Sequence, residues 1–196
     1  DAEEMAKSAT TNEENTLEVQ PVHQPNIEDQ QSDGAAIPTE QYIDQIEKHY
    51  GICFPLDYLN KLNEANHREY QYVETDGHTD WSIYFSRLDE RFISNNETLV
   101  DEMNPDPKRI IPFAWSVSSG NYYLLDYRYH PAQPAVLLME HEEAIVREDA
   151  ESEAEYPEQV QELLEGNVRK IADSFEQFAL CLKEQDSSLL SDDEEE

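Results

Sequence analysis

The feature that most constrains the fold is an apolar stretch interrupted by a single turn. Residues 110–127 read IIPFAWSVSSGNYYLLDY, with apolar and aromatic residues on both sides of Ser118-Ser119-Gly120-Asn121. This composition is typical of two strands joined by a tight turn. A third apolar run, residues 134–139, follows two prolines and predicts a neighbouring strand. The sequence therefore predicts a sheet with this hairpin at its centre, in which Phe113, Tyr123 and Leu125 belong to the core.

Helical patterns flank the hairpin on both sides. Apolar side chains recur at helical spacing in residues 40–50, which predicts a helix. Thr39 can cap its N-terminus, and Gly51 can end it. Pro55 favours the start of a second helix, and Ser174 to Gln177 form a capping box that opens the last one. The remaining predicted elements are strands within 70–74 and 81–85 around Asp76-Gly77, an irregular helical stretch at 88–103, and a Glu-rich helix-and-loop insertion at about 143–165.

Charge and apolar content divide the chain into three parts. The 196 residues include 45 acidic and 13 basic side chains, a net charge of −32. Residues 1–36 (9 acidic, 1 basic) and 184–196 (7 acidic, none basic) hold too few apolar side chains for a core, so both are predicted to be disordered tails. The predicted α+β domain, residues 37–183, is itself acidic, with 29 acidic and 12 basic side chains. Such a surface repels nucleic acid and anionic membranes and attracts basic proteins.

The sequence lacks the motifs of an enzyme. His141-Glu142 begins like the zinc-binding motif H-E-x-x-H, but position 145 is Ile. The five glycines include no phosphate-binding loop. Cys53 and Cys181 form no C-x-x-C pair, and no run is long enough to span a bilayer, which together favour a cytoplasmic protein. We therefore predict a non-enzymatic protein without cofactor or metal.

Aromatic residues near acidic ones predict a protein-binding surface. The chain has 11 Tyr, 2 Trp and 6 Phe, more than we expect the core to need. On alternating strand positions, the surplus would give one sheet face or rim aromatic anchors and acidic guides. A one-residue change of register would exchange the two faces. The predicted partner-binding residues are Asp80, Trp81, Trp115, Asn121, Asp126, Tyr127, Tyr129, Glu140 and Glu142.

Four segments in order resemble the SUKH superfamily, which includes the fungal Smi/Knr-type cell-wall regulators and many bacterial toxin-immunity proteins. These are Tyr50-Gly51-Ile52 before Phe54-Pro55, Asp57 and Tyr58; Ile111-Pro112-Phe113-Ala114; Gly120-Asn121-Tyr122-Tyr123 with Asp126; and residues 171–178. The resemblance implies a single α+β domain whose helices pack on a mixed, mostly antiparallel sheet. It also implies a role in binding other proteins rather than in catalysis.

Two functions are compatible with this resemblance. The first is an immunity protein, a monomer that neutralises a cognate toxin; the acidic surface favours a basic, nuclease-type toxin, whose phosphate-binding cleft it would occupy. The second is a regulatory scaffold of the fungal type. For that function, Ser187, Ser188 and Ser191 have the acidic surroundings that acidophilic kinases prefer.

Overall fold

The computed structural model of the protein describes residues 40–65, 68–73 and 78–185. Most of both predicted tails, the Thr39 cap and the Asp76-Gly77 turn lie outside these ranges. In chain order the elements are α1 Glu40–Tyr50, α2 Leu56–Glu64, β1 Tyr70–Val73, β2 Thr79–Phe85, α3 Phe92–Leu99, β3 Ile110–Ser116, β4 Tyr122–Asp126, β5 Ala135–Met139, α4 Arg147–Glu153, α5 Gln159–Glu165, β6 Val168–Ala172, α6 Phe175–Leu180 and β7 Leu182–Glu184, with a short 3₁₀ turn at His141–Glu143.

The strands form one seven-stranded sheet in the order β6-β5-β4-β3-β2-β1-β7. Every described pair of neighbours is antiparallel. The predicted hairpin forms β3 and β4, and β3 is the middle strand. Helices and an antiparallel sheet in a single domain confirm the predicted α+β fold. Two strands, β6 and β7, were not predicted, and β7 includes Glu184 of the predicted C-terminal tail.

One face of the sheet carries the main core. The helices α1, α2 and α6 contribute Ile46, Tyr58 and Phe178 to it. Since β6 and β7 are the two edges of the sheet, the chain crosses this face through α6 between them. Ser174 caps α6 by accepting a hydrogen bond from the Gln177 backbone N–H at 3.2 Å. The predicted core residues Phe113, Tyr123 and Leu125 are all fully buried here.

The opposite face is covered only in part. A second core cluster joins Leu124 and Met139 of the sheet to Met103 and Val146. The Asn167 side chain fixes this covering layer, because its amide donates to the carbonyls of Met103 at 2.8 Å and Ile145 at 2.7 Å. The Glu-rich insertion thus folds into α4 and α5 beside this face. The second cluster does not extend to β1 and β2.

Gly51 shows why the chain turns where it does after α1. Its φ is +68°, in the left-handed region that glycine adopts without a steric penalty. The N–H of Ile52 then donates to the carbonyl of Glu47 at 3.0 Å, which closes the helix end. The Glu47 carboxylate accepts from the Phe54 N–H at 2.7 Å and so holds the α1–α2 loop against α1.

Candidate protein-binding site

Most of the predicted binding residues lie at one end of the sheet, which we call the turn end because it carries the β3–β4 turn. Tyr122, the first residue of β4, pairs with both Trp115 and Met139. The N–H of Val117 donates to the carbonyl of Ser82 at 3.1 Å, which brings β2 to the same end. Six of the nine predicted residues are therefore neighbours at this end: Asp80, Trp81, Trp115, Asn121, Glu140 and Glu142.

The other three predicted residues lie at the opposite end. Asp126 pairs with Ile110, and Tyr127 and Tyr129 follow it. The four steps along β4 from Tyr122 to Asp126 separate the two ends by about 14 Å. The structure therefore divides the predicted set between two surfaces rather than joining it into one.

A row of aromatic rings crosses three strands at the turn end, on the face of the sheet opposite the main core. The rings of Tyr84 and Trp115 lie 6.1 Å apart, and those of Tyr122 and His141 lie 6.3 Å apart. Trp115 and Tyr122 are direct cross-strand partners, so the row is continuous. The Tyr84 hydroxyl donates to Glu69 at 3.2 Å. We call these four rings the aromatic row.

Two further apolar side chains extend this surface. Trp81 is 52% exposed and Val117 is 57% exposed, while Trp115 within the row is 42% exposed. Val117 is the first residue after β3, and its backbone N–H donates to the Ser82 carbonyl, which brings it close to Trp81. The exposed Glu142 and the half-buried Glu140 follow β5 beside Tyr122. The turn end thus presents aromatic anchors next to carboxylates.

Asp80 lies beneath this surface rather than on it, with only 2% of the residue exposed. Its two carboxylate oxygens accept hydrogen bonds from Tyr123 Oη at 2.6 Å, Ser116 Oγ at 2.7 Å and Ser119 Oγ at 3.0 Å. The N–H of Trp81 donates to the same carboxylate at 2.9 Å. Several donors around one ionised group give strong, mutually reinforcing hydrogen bonds. We call Asp80 and the side chains that contact it the Asp80 cage.

Serine hydroxyls in and beside the cage also hold the backbone of Trp81. The Trp81 carbonyl accepts from Ser118 Oγ at 2.7 Å, and Ser116 Oγ lies 2.7 Å from this carbonyl as well as from Asp80, so its single proton is shared between the two acceptors. Burial raises the pKa of Tyr123, and its hydrogen bond to Asp80 raises it further, so the phenol keeps the proton that it donates. The cage therefore joins β2, the β3–β4 turn and β4.

Four of the nine predicted binding residues are buried in the free protein. Asp80 and Asn121 belong to the cage, where the Asn121 amide approaches Asp80 Oδ2 at 3.5 Å. Asp126 pairs with Arg128, and the Tyr127 hydroxyl donates to the Cys53 carbonyl at 3.1 Å. Asp80 is buried because consecutive side chains of a strand point to opposite faces, and the next residue, Trp81, is exposed.

The five remaining predicted residues are accessible. Trp81, Trp115, Glu140 and Glu142 lie at the turn end, and Tyr129 lies at the opposite end with 73% exposure. Sequence reasoning missed Tyr84, Tyr122, His141 and Val117. The position of Val117 at the start of the predicted turn could have indicated the last of these, but Tyr84 joins the row only through β2–β3 pairing.

The described residues offer little else that suggests chemistry. Within the described ranges, no group of three or more His, Cys, Asp or Glu side chains is placed to hold a metal ion. None of the described helices has the length and apolar character that crossing a membrane requires. The exposed aromatic and acidic groups of the turn end are suited to noncovalent recognition by stacking, apolar burial and charge.

Comparison with known proteins identifies one similarity. The model of the family described as SMI1 / KNR4 family (SUKH-1) matches residues 37–180, well over half of the chain. The matched range includes α1 to α6 and β1 to β6. No curated protein and no solved structure gives a significant match.

Proposed function

The chain belongs to the SMI1/KNR4 family (SUKH-1), and from this premise we propose that it is a non-enzymatic protein-binding domain that uses the turn end to hold its partner. The observation that carries the proposal is the exposure of Trp81 and Trp115, at 52% and 42%, beside carboxylates. Large aromatic side chains are the residues that most often dominate the energy of protein interfaces. A contiguous exposed patch of apolar side chains often marks a site of protein interaction.

The partner that we propose is a cognate toxin, which makes the chain a cytoplasmic immunity protein. The net charge of −32 favours a basic partner such as a nuclease-type toxin. An acidic protein presents to a phosphate-binding cleft the same charge as the nucleic acid that it displaces. Association would therefore be fast at low salt and would slow as added salt screens the attraction.

Photo-crosslinking in the producing cell tests the proposal and identifies the partner in the same experiment. A photoreactive residue placed at Val117 should crosslink the full-length chain to one basic protein. The same residue at Tyr156, which is 45% exposed between α4 and α5, is the matched control. Equal capture at both positions, or none at Val117, would contradict binding through the turn end.

Substitution of the anchors then tests the surface with the captured partner. Trp81→Ala and Trp115→Ala should each weaken binding by at least about 30-fold, the loss of about 2 kcal/mol expected at a hot spot. Tyr129→Ala removes an aromatic side chain that is 73% exposed at the opposite end, and it should change the affinity less than threefold. A larger effect at Tyr129 would place the interface at that end instead.

Charge reversal tests the electrostatic part separately. Replacing Glu140 and Glu142 by Lys should lower the association rate and flatten its dependence on salt. The matched control reverses Glu155 and Glu158, two exposed carboxylates of the α4–α5 region. Asp126 is unsuitable for reversal because it is buried and paired with Arg128. Association that is insensitive to salt would remove the electrostatic claim.

A regulatory scaffold is the alternative function, supported by Ser187, Ser188 and Ser191 among acidic residues. These serines lie outside the described residues. The two functions differ in what the partner does when it is expressed alone. A partner that arrests growth unless this chain is present supports immunity. A harmless partner whose binding depends on phosphorylation of these serines supports the scaffold.

A further inference from the structure

We propose that Asp80 is a positioning residue: its buried carboxylate fixes the backbone of Trp81 and Ser82 so that the Trp81 side chain is presented at the turn end. The inference rests on the proposed function only in assuming that Trp81 contacts a partner. The positioning itself is a property of the free protein. The evidence is the pattern of hydrogen bonds around two consecutive peptide groups.

The backbone at Ser82 has an unusual conformation. Its φ is +58°, the only positive value that the described residues show outside glycine. A left-handed conformation is unfavourable for a residue with a Cβ atom, and it persists only where the surroundings impose it. Tyr70 of β1 pairs with Ile83 of β2, and Tyr72 pairs with Asp80, so two steps along β1 match three steps along β2. The extra residue in β2 makes this segment a β-bulge. The bulge separates the buried Asp80 from the buried Ile83 and leaves Trp81 exposed.

Each peptide group beside Ser82 is held by the cage or by the β3–β4 turn. The Trp81 N–H donates to Asp80 Oδ1 at 2.9 Å, and the Trp81 carbonyl accepts from Ser118 Oγ at 2.7 Å. Ser116 Oγ lies 2.7 Å from both this carbonyl and Asp80 Oδ1, and its single proton bridges the two acceptors. The Ser82 carbonyl accepts from the Val117 N–H at 3.1 Å. Replacing Asp80 by Asn weakens one acceptor oxygen and turns the other into a donor, so the hydroxyl and N–H donors lose the charged group that organises them.

This arrangement would favour binding because it keeps the backbone of Trp81 rigid in the free protein. An anchor that is already held in its bound conformation loses less entropy when a partner docks. Tyr123 and Ser119 stabilise the carboxylate from β4 and from the turn, so the position of Trp81 depends on three segments of the chain. Sequence-distant residues thereby define the geometry of a single exposed tryptophan.

The test measures backbone ¹⁵N order parameters in the full-length free protein. In Asp80→Asn, the values for Trp81 and Ser82 should fall from about 0.85, typical of rigid backbone, to below about 0.6. Asp126→Asn is the matched control, since it neutralises another buried carboxylate, which is 4% exposed at the opposite end of the sheet. The proposal is overturned if Trp81 and Ser82 stay rigid in Asp80→Asn, or loosen as much in Asp126→Asn.

Milder variants keep the test decisive if Asp80→Asn does not fold. Ser119→Ala and Tyr123→Phe each remove one donor to Asp80 and leave the carboxylate in place. Both should loosen Trp81 and Ser82 by a smaller amount, and unchanged order parameters in both would overturn the proposal. If Trp81 loosens as expected but Trp81→Ala leaves partner binding intact, the proposed binding surface fails while the positioning role stands. If Trp81 is needed for binding but stays rigid without the Asp80 charge, the positioning role alone fails.

Discussion

At the scale of single residues, the Tyr58 hydroxyl is an exception in a well-packed aromatic core. The ring is fully buried and lies within 5.6 Å of the rings of Phe54, Phe113 and Phe175. Its hydroxyl finds no hydrogen-bond partner within the described part of the chain. Burial raises the pKa of Tyr58, so this hydroxyl stays protonated. A buried donor without a partner costs about 1–3 kcal/mol.

Tyr58→Phe should therefore stabilise the protein by about 1 kcal/mol, because the ring packing is retained and the unpaired hydroxyl is lost. Urea denaturation measures the change in the free energy of unfolding. Tyr123→Phe is the control, since that hydroxyl donates to Asp80 at 2.6 Å and its loss should destabilise the protein. A destabilisation of similar size in Tyr58→Phe would show that a buried water satisfies its hydroxyl.

Asp101 gives the stability of the protein a dependence on pH. Partial burial raises the pKa of this carboxyl from 3.8 to about 6, and the nearby Glu97 raises it while His49 lowers it. Because the folded carboxyl binds its proton more tightly than the unfolded one, its favourable contribution is complete below about pH 4 and is lost as the pH rises through about 6.

Asp101→Asn should raise the free energy of unfolding at pH 7.5, by about 1 kcal/mol after allowance for solvent screening of a half-exposed group. The gain should vanish below about pH 4, where the wild-type carboxyl is protonated in both states. Urea midpoints across this pH range provide the measurement. Glu97→Gln should reproduce part of the gain, since it removes the neighbouring charge. A gain independent of pH would argue for a packing effect instead.

At the scale of elements, Arg128 links the β4–β5 connection to α5. Its guanidinium binds Asp126 through two nitrogens, each at 3.0 Å, and Glu165 through a third at 2.6 Å. Asp126 is 4% exposed, whereas the Glu165 side chain is 39% exposed. The two contacts should differ in energy, because a buried charge left without its partner is far more costly than an exposed one.

Arg128→Met should accordingly destabilise the protein by about 3 kcal/mol, while Glu165→Gln should cost less than about 1 kcal/mol. Arg128→Lys should fall between them, since lysine keeps the charge but cannot bind a carboxylate through two nitrogens. Chemical denaturation of the three variants measures the order. Equal losses in Arg128→Met and Glu165→Gln would mean that Asp126 finds another donor when Arg128 is absent.

The sequence predicted elements well where the signal was local. The first helix has the predicted bounds, Glu40–Tyr50, and the hairpin of β3 and β4 was found from its apolar run and turn. Strand β6 was missed because its sequence, VRKIA, has two exposed charged residues on a sheet edge and little apolar alternation. Strand β7 has only three residues, and its pairing with β1 joins parts of the chain that are more than 100 residues apart.

The candidate site was harder to predict because it depends on contacts across the whole domain. Asp80 was identified as a binding residue, but the hydroxyl groups that donate to it lie 36 to 43 residues further along the chain, so its burial could not be inferred from its sequence neighbours. The separation of Asp126 from Trp115 follows from the direction of β4 relative to β3. Exposed aromatic residues such as Trp81 could be nominated from composition, whereas the aromatic row required the register of three strands.

At the scale of the whole molecule, the net charge of −32 means that repulsion among carboxylates opposes the attraction within ion pairs such as Arg128–Asp126. Repulsion destabilises the compact state, because folding brings like charges closer together. Raising NaCl from 10 mM to 150 mM shortens the screening length from about 30 Å to about 8 Å. The added salt should therefore stabilise the free protein and raise its melting temperature by about 5 °C, the shift that roughly 1–2 kcal/mol produces in a chain of this size.

Two controls separate repulsion from general salt effects. Choline chloride at equal ionic strength should give the same increase, since screening depends on ionic strength rather than on the cation. Replacing the exposed Glu151 and Glu155 by Lys should raise the melting temperature at low salt and weaken its response to salt. A melting temperature that falls with salt would mean that attractive pairs such as Arg128–Asp126 outweigh the repulsion. For the complex with a basic partner, the effect of salt should have the opposite sign. The salt that stabilises the free chain should weaken association, because screening reduces the attraction between the two molecules just as it reduces the repulsion within this chain.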